Sequence, residues 1–135
     1  MRPVFFYGLF MDQDLLREKG FNPHSMKQAC LKGFGLRIGE KATLERAEKE
    51  SSYGTLIQLE SDELERLYGS GGVEDYVPQS VLVTTMTGET IEAVSYILPM
   101  DNIMGSNSEY ATTLAGIAKK LDLPEGYIRE IEAWI

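Results

Sequence analysis

Hydrophobic and polar positions fall into blocks along this chain, and the first block is the sharpest. Val4, Phe5, Phe6 and Tyr7 are consecutive strand-favouring residues, so residues 3 to 7 are expected to form a buried strand. The run stops at Gly8. Asp12 can cap a short helix through Leu15, Leu16 and Arg17, which Gly20 would end. A second strand region spans 28 to 38, with Ala29, Leu31, Phe34, Leu36 and Ile38 as its apolar positions. Gly33 and Gly35 interrupt it, which suggests a bulge or a close backbone approach. Residues 40 to 51 carry seven charges (Glu40, Lys41, Glu45, Arg46, Glu48, Lys49, Glu50) and predict an exposed turn or loop. Residues 53 to 59 alternate as a strand again.

Ser61 stands where a helix N-cap would, with Asp62 and Glu63 in the first turn and Leu64, Leu67 and Tyr68 as the apolar stripe. Gly69-Ser70-Gly71-Gly72 ends that helix. Tyr76 and Pro78 lead into a strand from Ser80 to Met86, a Thr87-Gly88-Glu89 turn, and a partner strand from Thr90 to Leu98. Tyr110, Leu114, Ile117 and Leu121 repeat at helical spacing. Pro124 fits the first position of a last helix, with Tyr127, Ile128, Ile131, Trp134 and Ile135 on one side. Strands joined by hairpins and short helices, with two helices at the C-terminus, predict an α+β fold built on a barrel or curled mixed sheet.

Totals change this picture little. The 135 residues fit one domain over 1–135 with a sizeable core. A formal net charge of −8 argues against nucleic acid and against an anionic membrane surface as partners. No apolar run approaches the roughly 20 residues of a spanning helix, and the N-terminal run is too short for the core of a signal peptide. Cys30 is the one cysteine, so no internal disulfide is possible and a reducing, cytoplasmic setting is the simple expectation. His24 is the one histidine, in a predicted exposed loop, so no histidine-based metal cluster is available; neither metal nor cofactor is expected.

Candidate chemistry begins at Tyr7-Gly8-Leu9-Phe10. A strand that ends in a Tyr-Gly turn and feeds a helix start places backbone N–H groups where an anionic group could sit. The bland alternative is an ordinary turn after a buried strand. Tyr68 could donate a hydrogen bond to a bound carbonyl, or simply be a core aromatic. Glu74 and Asp75 could be proton-transfer groups, or a solvated pair in a glycine-rich loop. Tyr110 could face a pocket, or begin the core stripe of its helix. Cys30 fits a small core residue better than a nucleophile.

With these segments placed, the chain resembles the γ-glutamylcyclotransferase-like family over nearly its whole length. Val4-Phe5-Phe6-Tyr7-Gly8-Leu9-Phe10 is similar to the family's strand followed by Tyr-Gly-Ser-Leu. Leu31 to Leu36, Ser52 to Ile57, Asp62 to Leu67, Tyr76 to Val81, Ala93 to Ile97, and then Tyr110, Leu123-Pro124 and Tyr127, follow in the family's order. The resemblance implies a small mixed β-barrel of about five to six strands flanked by helices. It also implies a small-molecule γ-glutamyl compound as ligand, held at Tyr7, Gly8, Leu9 and Phe10, with an aromatic at Tyr110 facing the pocket. In such enzymes the α-amine attacks its own γ-carbonyl, releasing 5-oxoproline and an amine or amino acid. That chemistry needs a base for the ammonium, donors for the oxyanion and a cradle for the α-carboxylate.

The chain departs from the family at one position. Where the family helix ends Leu-Asp-x-x-Glu-Gly, this chain has Leu64-Glu65-Arg66-Leu67-Tyr68-Gly69, so Tyr68 occupies the slot of the catalytic glutamate. Leu9 likewise replaces a serine. Two functions follow as expectations. Either the chain cyclises a γ-glutamyl amine or amino acid, with Glu74, Asp75 or Tyr68 handling protons, or it is a non-catalytic relative that keeps the cradle without its acid/base glutamate.

Overall fold

A computed structural model of the chain describes residues 1–69, 75–100, 103 and 105–135. Five strands close into a barrel in the order β1 (Arg2–Phe6), β3 (Ala42–Leu59), β2 (His24–Ile38), β4 (Val77–Thr85), β5 (Thr90–Ile97). β1 pairs antiparallel with β3, Phe6 opposite Thr55, and parallel with β5 at Val4 and Val94. β4 meets β2 at Ala29–Thr85 and Cys30–Thr84, which completes the ring. Among the described residues four α-helices surround it: α1 (Gln13–Glu18), α2 (Ser61–Tyr68), α3 (Ser108–Lys120) and α4 (Glu125–Glu132). The expected mixed barrel with two C-terminal helices is the fold observed.

The consecutive apolar run of β1 is explained by its place. Val4, Phe5 and Phe6 are all buried, because the strand is covered on both faces. β3 passes so close that a Cβ on Gly54 would lie 2.0 Å from the Phe6 carbonyl oxygen; only glycine fits there. Ala111, Leu114, Ala115 and Ala118 of α3 and Ile128 and Ile131 of α4 join the barrel residues in a single core. The bulge expected near Gly33 is present, as a register shift between Lys32 and Phe34 with Gly33 at φ +85°.

Of the charged stretch 40 to 51, only Glu40 and Lys41 belong to a turn; from Ala42 on it is the first half of β3, paired with β2 from Ile38–Ala42 to Lys32–Ser51 in a long hairpin. Within it the Arg37 guanidinium bridges Glu45 at 3.1 Å and Glu50 at 2.9 Å, while Ala42, Thr43 and Leu44 are buried. Cross-strand ion pairs of this kind let a charge-rich segment hold a strand. The tip of the hairpin is fastened to the start of α3, where the Asn107 side-chain amide donates to the Glu40 carbonyl at 3.2 Å.

Smaller corrections follow local chemistry. Glu60, not Ser61, caps α2: its side chain and that of Glu63 satisfy each other's backbone N–H groups in a capping box. β4 begins at Val77, three residues before its apolar alternation shows. Pro124 caps α4 from just outside the helix rather than sitting in its first turn. Trp134 and Ile135 lie beyond α4 and are exposed. His24 is the first, half-buried residue of β2 and pairs with Gln58, not part of an exposed loop. Cys30 is half-buried on β2, opposite Tyr53.

Candidate functional site

A cavity of about 590 Å³ opens at the end of the barrel where β1 and β5 finish and β3 and β4 begin. The chain has seven tyrosines, and five of them (Tyr7, Tyr68, Tyr76, Tyr96, Tyr110) line it, together with Phe6, Gly8, Leu9, Phe10, Leu15 and Ala42. Glu18, Lys19 and Lys41 are its charged lining residues among those described. This is the size and composition of a small-ligand site: mostly apolar and aromatic, with a few polar groups.

The loop from Tyr7 to Asp12 forms one wall, and three elements hold it. The Thr55 hydroxyl on β3 donates to the Met11 carbonyl at 2.8 Å. Asp12 caps α1 by accepting from the Asp14 N–H at 3.0 Å, and the Lys120 ammonium on α3 pairs with its other carboxylate oxygen at 2.9 Å. Tyr110, in the first turn of α3, packs its hydroxyl so tightly against the loop that a Cβ on Gly8 would be 2.9 Å from it. Gly8 is therefore favoured by close approach to that hydroxyl; its φ of −99° makes no demand for glycine.

The remaining tyrosines are fixed by backbone carbonyls and by each other. Tyr7 donates to the Tyr96 carbonyl at 2.7 Å, and Tyr76 donates to the Ala42 carbonyl at 2.5 Å. Tyr68, the last residue of α2, stacks on Tyr96 with centroids 3.9 Å apart and packs at 6.1 Å from Tyr76. Its hydroxyl makes no hydrogen bond to another described residue.

Burial sets the protonation of this group. Desolvation, with smaller contributions from neighbouring phenols, raises the pKa values of Tyr7, Tyr68 and Tyr76 well above the ordinary phenol value. Burial likewise pushes Tyr110 up to about 12, while the Leu9 backbone N–H beside its oxygen works the other way. Near neutral pH these four side chains are neutral. They can donate and accept hydrogen bonds, and none of them is a base strong enough to deprotonate an ammonium at useful rates.

Six of the described residues singled out from the sequence as site candidates (Tyr7, Gly8, Leu9, Phe10, Tyr68 and Tyr110) line this one cavity, and Asp75 does not. Glu74 lies outside the described residues, and Asp75 is exposed. From the sequence Tyr76 and Tyr96 read only as strand residues and Lys41 only as part of a charged stretch, while Glu18 and Lys19 carry no signal. The one signal that could have gathered the tyrosines was their number. Among the described residues no three His, Cys, Asp or Glu side chains group as a metal site, and no helix is long and apolar enough to cross a membrane.

The model of the AIG2-like family matches residues 51–131, from the second half of β3 to the end of α4. The chain belongs to the AIG2-like family. Its barrel is γ-glutamylcyclotransferase-like. Over 99% of this AIG2-like chain and 88% of the other, a γ-glutamyl cyclotransferase aligns with a TM-score of 0.78 at 22% identity. An uncharacterized human protein aligns over the same shares with a TM-score of 0.84, also at 22% identity. A yeast γ-glutamyl cyclotransferase specific to glutathione aligns over 98% of this chain and 94% of its own, with a TM-score of 0.68 at 12% identity. At such identities the likeness is one of fold. No curated protein matches the AIG2-like chain in sequence.

Proposed function

We propose that the tyrosine-lined cavity binds the glutamyl part of a γ-glutamyl amine or amino acid, and that the chain is a binding relative of the cyclotransferases. The observation that carries the second half is Tyr68. It lines the cavity from the end of α2, and its buried phenol stays protonated; the resemblance in sequence aligns it with the family's glutamate. In that place it donates a hydrogen bond to a ligand carbonyl instead of removing a proton. The first half is supported by the fold, by the fixed Tyr7–Asp12 loop, and by an apolar cavity that suits the methylene arm of a glutamyl group while its hydroxyls suit the polar ends.

The second reading is turnover to 5-oxoproline, supported by the family and requiring a carboxylate from outside the tyrosine set, with Glu74 the candidate. Measurement of 5-oxoproline release from a panel of γ-glutamyl compounds, for wild type, Tyr68→Glu and Glu74→Ala, separates the two. Binding without turnover in wild type, with turnover gained in Tyr68→Glu, is the expected result. Wild-type turnover that disappears in Glu74→Ala would overturn the binding-only reading.

A further inference from the structure

The cavity wall is uncharged except at the end of α1 and the tip of the β2–β3 hairpin, among the described residues. Glu18 and Lys19 come from the first, Lys41 from the second. Among the described lining residues two are cations and one is an anion, in a chain whose formal net charge is −8. Lys19 is placed there by an observable contact: its ammonium lies 5.9 Å from the ring centroid of Phe10. Phe10 belongs to the loop that walls the cavity, and in turn its ring meets Phe6 edge-on at 6.4 Å. A cation over an aromatic face gains electrostatic attraction while its remaining donors stay available to a further anion. The cavity's 590 Å³ exceeds the needs of a glutamyl group alone, so a second moiety of the ligand has room inside it.

We infer that Lys19, held by Phe10, is a specificity residue that pairs with a carboxylate on the part of the ligand beyond the γ-amide, so that γ-glutamyl amino acids are bound in preference to γ-glutamyl amines. This rests on the binding reading above and deepens it. Glu18, beside Lys19, opposes the same carboxylate and tempers the preference, so the two residues act with opposite sign.

Two ligands that differ by that one group test it: γ-glutamylalanine and γ-glutamylethylamine. Isothermal titration into wild type is expected to show γ-glutamylalanine bound about three- to fivefold more tightly, the range of a solvent-exposed ion pair. The ratio should fall towards one in Lys19→Met, rise about twofold in Glu18→Gln, and shrink as salt is added. A ratio near one in wild type, or one that survives in Lys19→Met, overturns the assignment of Lys19 while leaving the binding reading intact. Failure of wild type to bind either ligand overturns the binding reading and this inference together. Circular dichroism of each variant confirms that the comparison is made on folded protein.

Discussion

The ring of Tyr68 lies flat on the ring of Tyr96, with centroids 3.9 Å apart and planes 6° from parallel. The stack fixes the phenol without using its hydroxyl, which leaves that hydroxyl for a ligand. Stability and binding should therefore separate at this residue. Tyr68→Phe keeps the stack, so its melting temperature is expected to stay within about 2 °C of wild type by differential scanning calorimetry. Its affinity for γ-glutamylalanine is expected to fall about fivefold, the loss of one hydrogen bond of about 1 kcal/mol.

Gly8 and Tyr110 form a second pair whose coupling can be measured. Gly8→Ala forces a methyl group against the Tyr110 hydroxyl, 2.9 Å away, and is expected to cost about 1–3 kcal/mol of stability. Tyr110→Phe removes the obstructing oxygen. In chemical denaturation, the double variant should recover at least about 0.5 kcal/mol relative to the sum of the single changes. Strict additivity would mean that the two residues do not touch as described.

The buried phenols make alkaline pH the weak side of this protein. Tyr110 has its folded pKa raised from 10.0 to about 12, so the folded state keeps a proton that the unfolded state releases in that window. Above about pH 10 the unfolded chain binds fewer protons, and stability falls as pH rises through 12; below pH 10 this contribution is fully present. Two pKa units correspond to about 2–3 kcal/mol. Tyr7, Tyr68 and Tyr76 shift in the same direction and steepen the fall. Phenolate absorbance should thus rise together with the loss of far-ultraviolet circular dichroism, and Tyr110→Phe should make the decline shallower.

Asp12 does two jobs that substitutions can part. It caps α1 and pairs with Lys120 on α3. Asp12→Asn keeps a cap and loses the pair, whereas Asp12→Ala loses both. By denaturant titration Asp12→Ala is expected to be the less stable of the two by about 1 kcal/mol, the usual worth of a side-chain cap.

What the chain discloses before it folds follows from how local each feature is. The strand of Val4 to Tyr7, the cap at Asp12, the Thr87–Glu89 hairpin and the stripe of α3 depend on nearby residues, and each is found close to where the pattern puts it. The first half of β3 pairs Glu45 and Glu50 with Arg37, up to thirteen residues away, so its local charge density misleads. The site divides in the same way. Tyr7 to Phe10 announce themselves as a strand running into a turn, and Tyr68 and Tyr110 through the family pattern. Tyr76 and Tyr96 join them only because barrel closure brings the start of β4 and the end of β5 to the end of β1. Lys19 becomes a cavity residue only through the packing of α1 against Phe10.

The central claim, that this cavity takes a γ-glutamyl group with Tyr68 as a hydrogen-bond donor, is tested most directly by isothermal titration of γ-glutamylalanine into wild type and Tyr68→Phe under the same conditions. Saturable one-to-one binding to wild type, weakened about fivefold in Tyr68→Phe, is the predicted result. No heat of binding in wild type, or equal affinity in the two proteins, would contradict it.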